Sequence, residues 1–124
     1  MELAAGVILI LMSIVHIIYG ERKQVNVLKS LTNDSILIGS FRVMSLQGGL
    51  LLFAIGVIYI LSFVGLISLT GVAIYFPVGL VLLNVLSVFI IAFTKHKKLF
   101  IITIPQFIIF AIIITLQILI IARV

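Results

Sequence analysis

Ser13-Ile14-Val15-His16-Ile17-Ile18-Tyr19-Gly20-Glu21-Arg22-Lys23 is the stretch on which the reading of this chain turns. It closes the first apolar run, opens the first basic segment, and carries His16, the one ionisable side chain inside an apolar run. An apolar run that stops at Glu21, Arg22 and Lys23 reads as a membrane-spanning helix reaching an aqueous face. The run from Leu3 to Tyr19 is at the short end of what crosses a hydrocarbon core of about 30 Å. Glu2 stands where a secretory signal would be basic, and no small-x-small cleavage site follows, so the run reads as a retained helix.

Composition extends this reading to the whole chain. Of 124 residues, 65% are hydrophobic and 9% charged, and the mean hydropathy is +1.55. Soluble domains are about half apolar and about a quarter charged. The apolar excess recurs along the sequence in four runs, at about 3–19, 43–66, 69–93 and 99–122. They are continuous rather than alternating, and far longer than the roughly 10 residues of a barrel strand. The expected fold is therefore an all-α integral membrane protein, with residues 1–124 as one domain and four transmembrane helices in a compact antiparallel bundle.

The connections are short. Residues 21–41 form the expected cytoplasmic loop, in which Val25, Leu28 and Leu31 are spaced for a helical turn or two in the interface. Asn33-Asp34-Ser35 reads as a turn, with Asp34 or Ser35 as N-cap of the next helix, and Arg42 snorkels from that helix toward the headgroups. Only Ile67-Ser68, near Gly65 and Gly71, separates the second run from the third, so these two helices are expected to pair as a hairpin. Lys95-His96-Lys97-Lys98 separates the third from the fourth.

Charge orients the bundle. Seven of the eight Lys and Arg residues fall on one side of four crossings: Arg22, Lys23, Lys29, Arg42, Lys95, Lys97 and Lys98. The positive-inside rule puts both basic segments in the cytoplasm and both termini on the non-cytoplasmic side of the inner membrane. This bias accounts for the net charge of +5 without nucleic acid. With no cysteine there is no disulfide or thiolate ligand, and no His/Asp/Glu spacing suggests a metal. Nor is there a phosphate loop, a nucleophile elbow or a paired carboxylate, so neither an enzyme nor a cofactor is expected. Trp is absent, which leaves Tyr19, Tyr59, Tyr75 and the phenylalanines as candidate interfacial anchors.

Lipid gives a helix nothing for burying leucine, so small and polar residues mark the faces that meet protein. Gly6, Ser13, His16 and Gly20 form one stripe on the first helix. Ser45, Gly49 and Gly56 form another on the second, with Arg42 extending it and Gln47 pointing elsewhere. Pro77, Asn84, Ser87 and Thr94 align on the third, where Pro77 is expected to kink the helix. Thr103, Gln106 and Gln117 share a face of the fourth, where Pro105 lies. Asn84, Gln106 and Gln117 read as interhelical glue, and His16 as a neutral donor to a backbone carbonyl, Gln47 or Gln106.

The leading functional expectation is a non-enzymatic accessory, scaffold or immunity-type component, working in the bilayer through self-association or contact with another membrane protein. One alternative is a small oligomeric channel or transporter with a polar path through His16, Gln47, Asn84 and Gln106. Another is a lipid-binding protein with a lateral groove beside Pro77 or Pro105.

Overall fold

The computed structural model describes residues 1–123 of the chain. It is all-helical, and among the described residues four helices are long and apolar enough to cross a membrane. Helix α1 (Glu2–Tyr19) runs through a π-helical segment (Gly20–Val25) into α2 (Asn26–Leu31). Helix α3 covers Ser35–Phe63, a 3-10 turn (Gly71–Tyr75) leads into α4 (Phe76–Thr94), and α5 covers Leu99–Ile121.

The segment expected as a loop at 21–41 is almost entirely helical; only 32–34 interrupt it. Apolarity had marked where the hydrocarbon ends, not where the helix ends, and Glu, Arg, Lys and Gln are good helix formers in water. The π turn advances less per residue than the 100° of an α-helix, which brings Val25 round to a buried position on the α3 side. Asp34 then starts α3 as the N-cap: its Oδ1 accepts from the backbone N–H groups of Ile36 at 2.9 Å and Leu37 at 3.2 Å. At about 1.5 Å per residue, the 30 residues of Glu2–Leu31 and the 29 of α3 are about 45 Å long. Both are longer than a hydrocarbon core of about 30 Å is thick, and the pair ends in a basic helical hairpin with Arg22, Lys23, Lys29 and Arg42.

The dominant packing is α1 antiparallel to α3. The small-residue stripes read from the sequence meet in one register. A Cβ added at Gly6 would lie 2.9 Å from the carbonyl oxygen of Gly56, and one at Gly56 would lie 2.9 Å from that of Gly6. Further along, Ile17 fills the space over Gly49, and Ser45 sits against Gly20. A second face of α1, with Ala5, Leu9 and Met12, buries itself in a core shared with Leu52, Ile55 and Tyr59 of α3 and Phe110 and Ile113 of α5.

Four expectations are corrected here. Helices α3 and α4 barely meet; α4 pairs with α5, and α5 joins the bundle through α1. The α3–α4 link is longer than Ile67-Ser68, because α3 stops at Phe63 in a Gly65 turn (φ +77°) and the next helical turn starts only at Gly71 (φ +57°). Pro77 does not kink a helix: it lies in the first turn of α4, where its missing N–H has no intrahelical partner to lose. Tyr59 is buried in the core rather than anchoring an interface, whereas Tyr19 and Tyr75 are exposed. Pro105 does lie inside a helix, α5.

Because the Gly6–Gly56 contact is backbone against backbone, added volume cannot be absorbed by a side-chain rotation. Gly56→Ala is expected to destabilise the protein by about 1–3 kcal/mol. Gly39→Ala, in the same helix with nothing within 4 Å, is expected to stabilise it by about 0.5–1 kcal/mol. Unfolding in mixed detergent micelles measures both, and equal effects would contradict the close approach.

Candidate functional site

The polar side chains within the spans concentrate on the α1–α3 seam. Ser13 is buried and its hydroxyl donates to the carbonyl oxygen of Gly49 at 2.7 Å. This is possible because Gly49 has no side chain to shield its carbonyl and the helices run close. One turn on, the half-buried His16 ring lies over Gly48 and Gly49: a Cβ at Gly48 would be 3.2 Å from His16 Nε2. At the end of the seam Glu21 accepts from two Arg42 guanidinium nitrogens, Nε at 3.0 Å and Nη2. It is the one ion pair among the described residues. Both partners are exposed, so the pair fixes direction and register more than it stabilises.

The register thus runs Gly6–Gly56, Ser13–Gly49, His16–Gly48, Gly20–Ser45, Glu21–Arg42. Gly6, Ser13 and Gly20 of the first stripe each meet a member of the second, whereas His16 lies over Gly48 and Arg42 pairs with Glu21, and neither Gly48 nor Glu21 belongs to a stripe. The remaining candidates do not converge with them. Gln47 is exposed on the outer side of α3, while Asn84 on α4 and Gln106 on α5 are half-buried. None of His16, Gln47, Asn84 and Gln106 lines either concavity described below.

Among the described residues His16, Asn84 and Gln106 make no side-chain hydrogen bond, whereas Gln117 of α5 faces Tyr59 of α3. Serine and glycine join α1 to α3. Hydroxyls of α4 and α5 turn back on their own helices: Ser87 donates to Leu83 and Thr94 to Ile90, Thr103 to Leu99 and Thr115 to Ala111. That local bond is always within reach of a helical Ser or Thr, and it removes the aligned Ser87 and Thr94 from any seam.

Two features escaped the sequence reading. Gln117 is fully buried facing Tyr59 of α3, with no contact of good hydrogen-bonding geometry at either amide atom. In addition, phenylalanines that look scattered gather where α4 and α5 meet. Phe89 and Phe107 have centroids 4.8 Å apart, and Phe93 and Phe100 meet edge-on at 4.8 Å. Their signal was present as Phe93 and Phe100, each close to an end of the Lys95–Lys98 turn, which brings them opposite each other once the turn closes.

Among the described residues no three His, Cys, Asp or Glu side chains are grouped as a metal ion would require. No protein-family model, curated protein or solved structure matches the chain.

Two substitutions separate the paired polar group from the unpaired one. Ser13→Ala is expected to cost about 0.6 kcal/mol and no more than about 2. Gln117→Met, which replaces a buried unpaired amide by an apolar chain of similar length, is expected to stabilise by about 1 kcal/mol. Loss of stability in Gln117→Met would show that the amide is paired in the folded protein.

Proposed function

We propose that this protein is a non-enzymatic component of the inner membrane that works through helix–helix contact, as an accessory or scaffold to a second copy or to another membrane protein. The observation that carries this reading is Gln47. It stands exposed on the outer side of α3 among the exposed apolar residues Val43, Met44, Leu46 and Leu50. An amide facing hydrocarbon lacks the partners that water would give, and a neighbouring helix supplies them. The α1–α3 pairing supports the same reading. It consumes the small residues of both helices and makes a rigid unit, which leaves α3's outer side free for a partner. The basic ends lie in the cytoplasm in this proposal, as the charge bias favours.

Native mass spectrometry of the protein in lipid nanodiscs tests this. The expected result is a self-associated species, or a membrane partner captured by crosslinking from the α3 outer face, that Gln47→Leu weakens about 3- to 30-fold. In the same cysteine-free background, Lys97→Cys is expected to be labelled from the cytoplasmic side and Leu66→Cys from the other. A strict monomer with no crosslinked partner would contradict the proposal. A pH-dependent flux into liposomes that His16→Ala abolishes would favour a polar path instead.

A further inference from the structure

The turn between α4 and α5 is basic, concave and unneutralised. Lys95, Lys97 and Lys98 project from four consecutive residues, and among the described residues none has a carboxylate partner; Glu21 is held by Arg42 and Asp34 is engaged as a cap. Backbone bonds tie the turn down: Lys95 and His96 N–H donate to Ile91, Leu99 N–H to His96 and Phe100 N–H to Lys97. The three lysines are therefore carried on one short turn whose backbone is fixed. Helix α5 starts from the same turn with no side-chain cap, so its positive dipole end adds to the field. Between these groups lies a concavity of about 490 Å³ with Phe93, Leu99 and Ile102 in its walls. A topology signal needs charge only; it needs no cavity with a cationic rim and an apolar wall.

A second concavity, of about 710 Å³ and almost wholly apolar, follows the outer face of α4 from Val72 to Phe89. Phe89, at its end, stacks on Phe93 of the basic concavity, with centroids 6.0 Å apart. The two hollows thus follow one another along a single helix face. An acyl chain that reaches mid-bilayer covers about 15 Å, or about ten residues of helix. Measured back from Phe93, that distance ends near Leu83, which lines the apolar hollow.

We propose that the α4–α5 turn holds the phosphate of one anionic phospholipid, with an acyl chain laid along the concave face of α4. The chemistry selects an anionic headgroup over a zwitterionic one: the site has three cations for the phosphate and no carboxylate for a choline or ethanolamine cation. The apolar continuation selects a lipid over free phosphate. This goes beyond contact between helices and does not depend on it.

The test reconstitutes the full chain in vesicles of phosphatidylglycerol and phosphatidylcholine at one to three, extracts it in neutral detergent, and counts retained lipid by native mass spectrometry. Phosphatidylglycerol is expected to be retained in excess over its share of the vesicle. Each lysine near such a headgroup contributes about fivefold, so Lys95→Gln with Lys97→Gln and Lys98→Gln is expected to lower retention about 100-fold. Replacing the same three lysines by arginine is expected to keep it. Arg22→Gln with Lys23→Gln and Lys29→Gln removes equal charge from the α1–α3 hairpin and is expected to leave retention unchanged, which separates a site from general charge. Circular dichroism of each variant reports whether the helices are intact. Equal losses in the two glutamine triples, or no preference for phosphatidylglycerol, would overturn the proposal. So would displacement of the lipid by millimolar inorganic phosphate, which would reassign the turn to a free anion.

Discussion

The close approach of α1 and α3 at Gly6 and Gly56 is the constraint on which the rest of the structure depends. In lipid, burying leucine against leucine gains little, so a helix pair is held by contact area and by the few polar bonds that proximity permits. A Cβ at either glycine would meet the other's carbonyl oxygen at 2.9 Å, so only glycine allows the backbones this close. Proximity at one end then sets the register at the other. Ser13 reaches the Gly49 carbonyl, the His16 ring settles over Gly48, Ser45 fits against Gly20, and Glu21 arrives at Arg42. A slip by one residue would rotate every one of these pairs out of line.

The same pairing divides the molecule into parts with different tasks. Helices α1 and α3 spend their small residues on each other and run on as a stiff hairpin longer than a hydrocarbon core is thick. Helices α4 and α5 are held to each other by phenylalanines at the basic end, and α5 reaches the first pair through Ala5, Leu9 and Met12 of α1. Helix α4 touches little of α3 and keeps a concave apolar face open. A rigid pair with one amide on its outside, and a looser pair with a cationic turn and an apolar hollow, offer two different surfaces to the membrane's contents.

Much of this was legible in the residues. The number of spans and both α1–α3 stripes follow from where charges and small residues fall, because those two signals have no other cause in lipid. Asp34 as N-cap was equally plain. Helix ends were not, since charged residues such as Arg22 and Lys23 leave the hydrocarbon without leaving the helix. Adjacency in sequence does not make α3 and α4 adjacent in space, because the Gly65 and Gly71 turns let the chain swing away. Pro77 shows that a proline's effect depends on its distance from the helix start, which hydropathy cannot locate. The burial of Tyr59 and Gln117 depends on which helix lies opposite, and no local pattern carries that information. His16 stands out in the sequence as an ionisable group in an apolar run, and its place is set by the absence of a side chain at Gly48.

The most direct test of the account uses the cysteine-free background. A Cβ at Gly20 would lie 3.3 Å from that of Ser45, close to the roughly 3.5–4.5 Å that a disulfide spans. Gly20→Cys combined with Ser45→Cys, oxidised mildly in the membrane, is expected to give a disulfide within one chain, seen as a faster-migrating monomer that reductant reverses. Crosslinks only between chains, or none, would mean that α1 and α3 do not meet in this register, and the structure built on that contact would not stand.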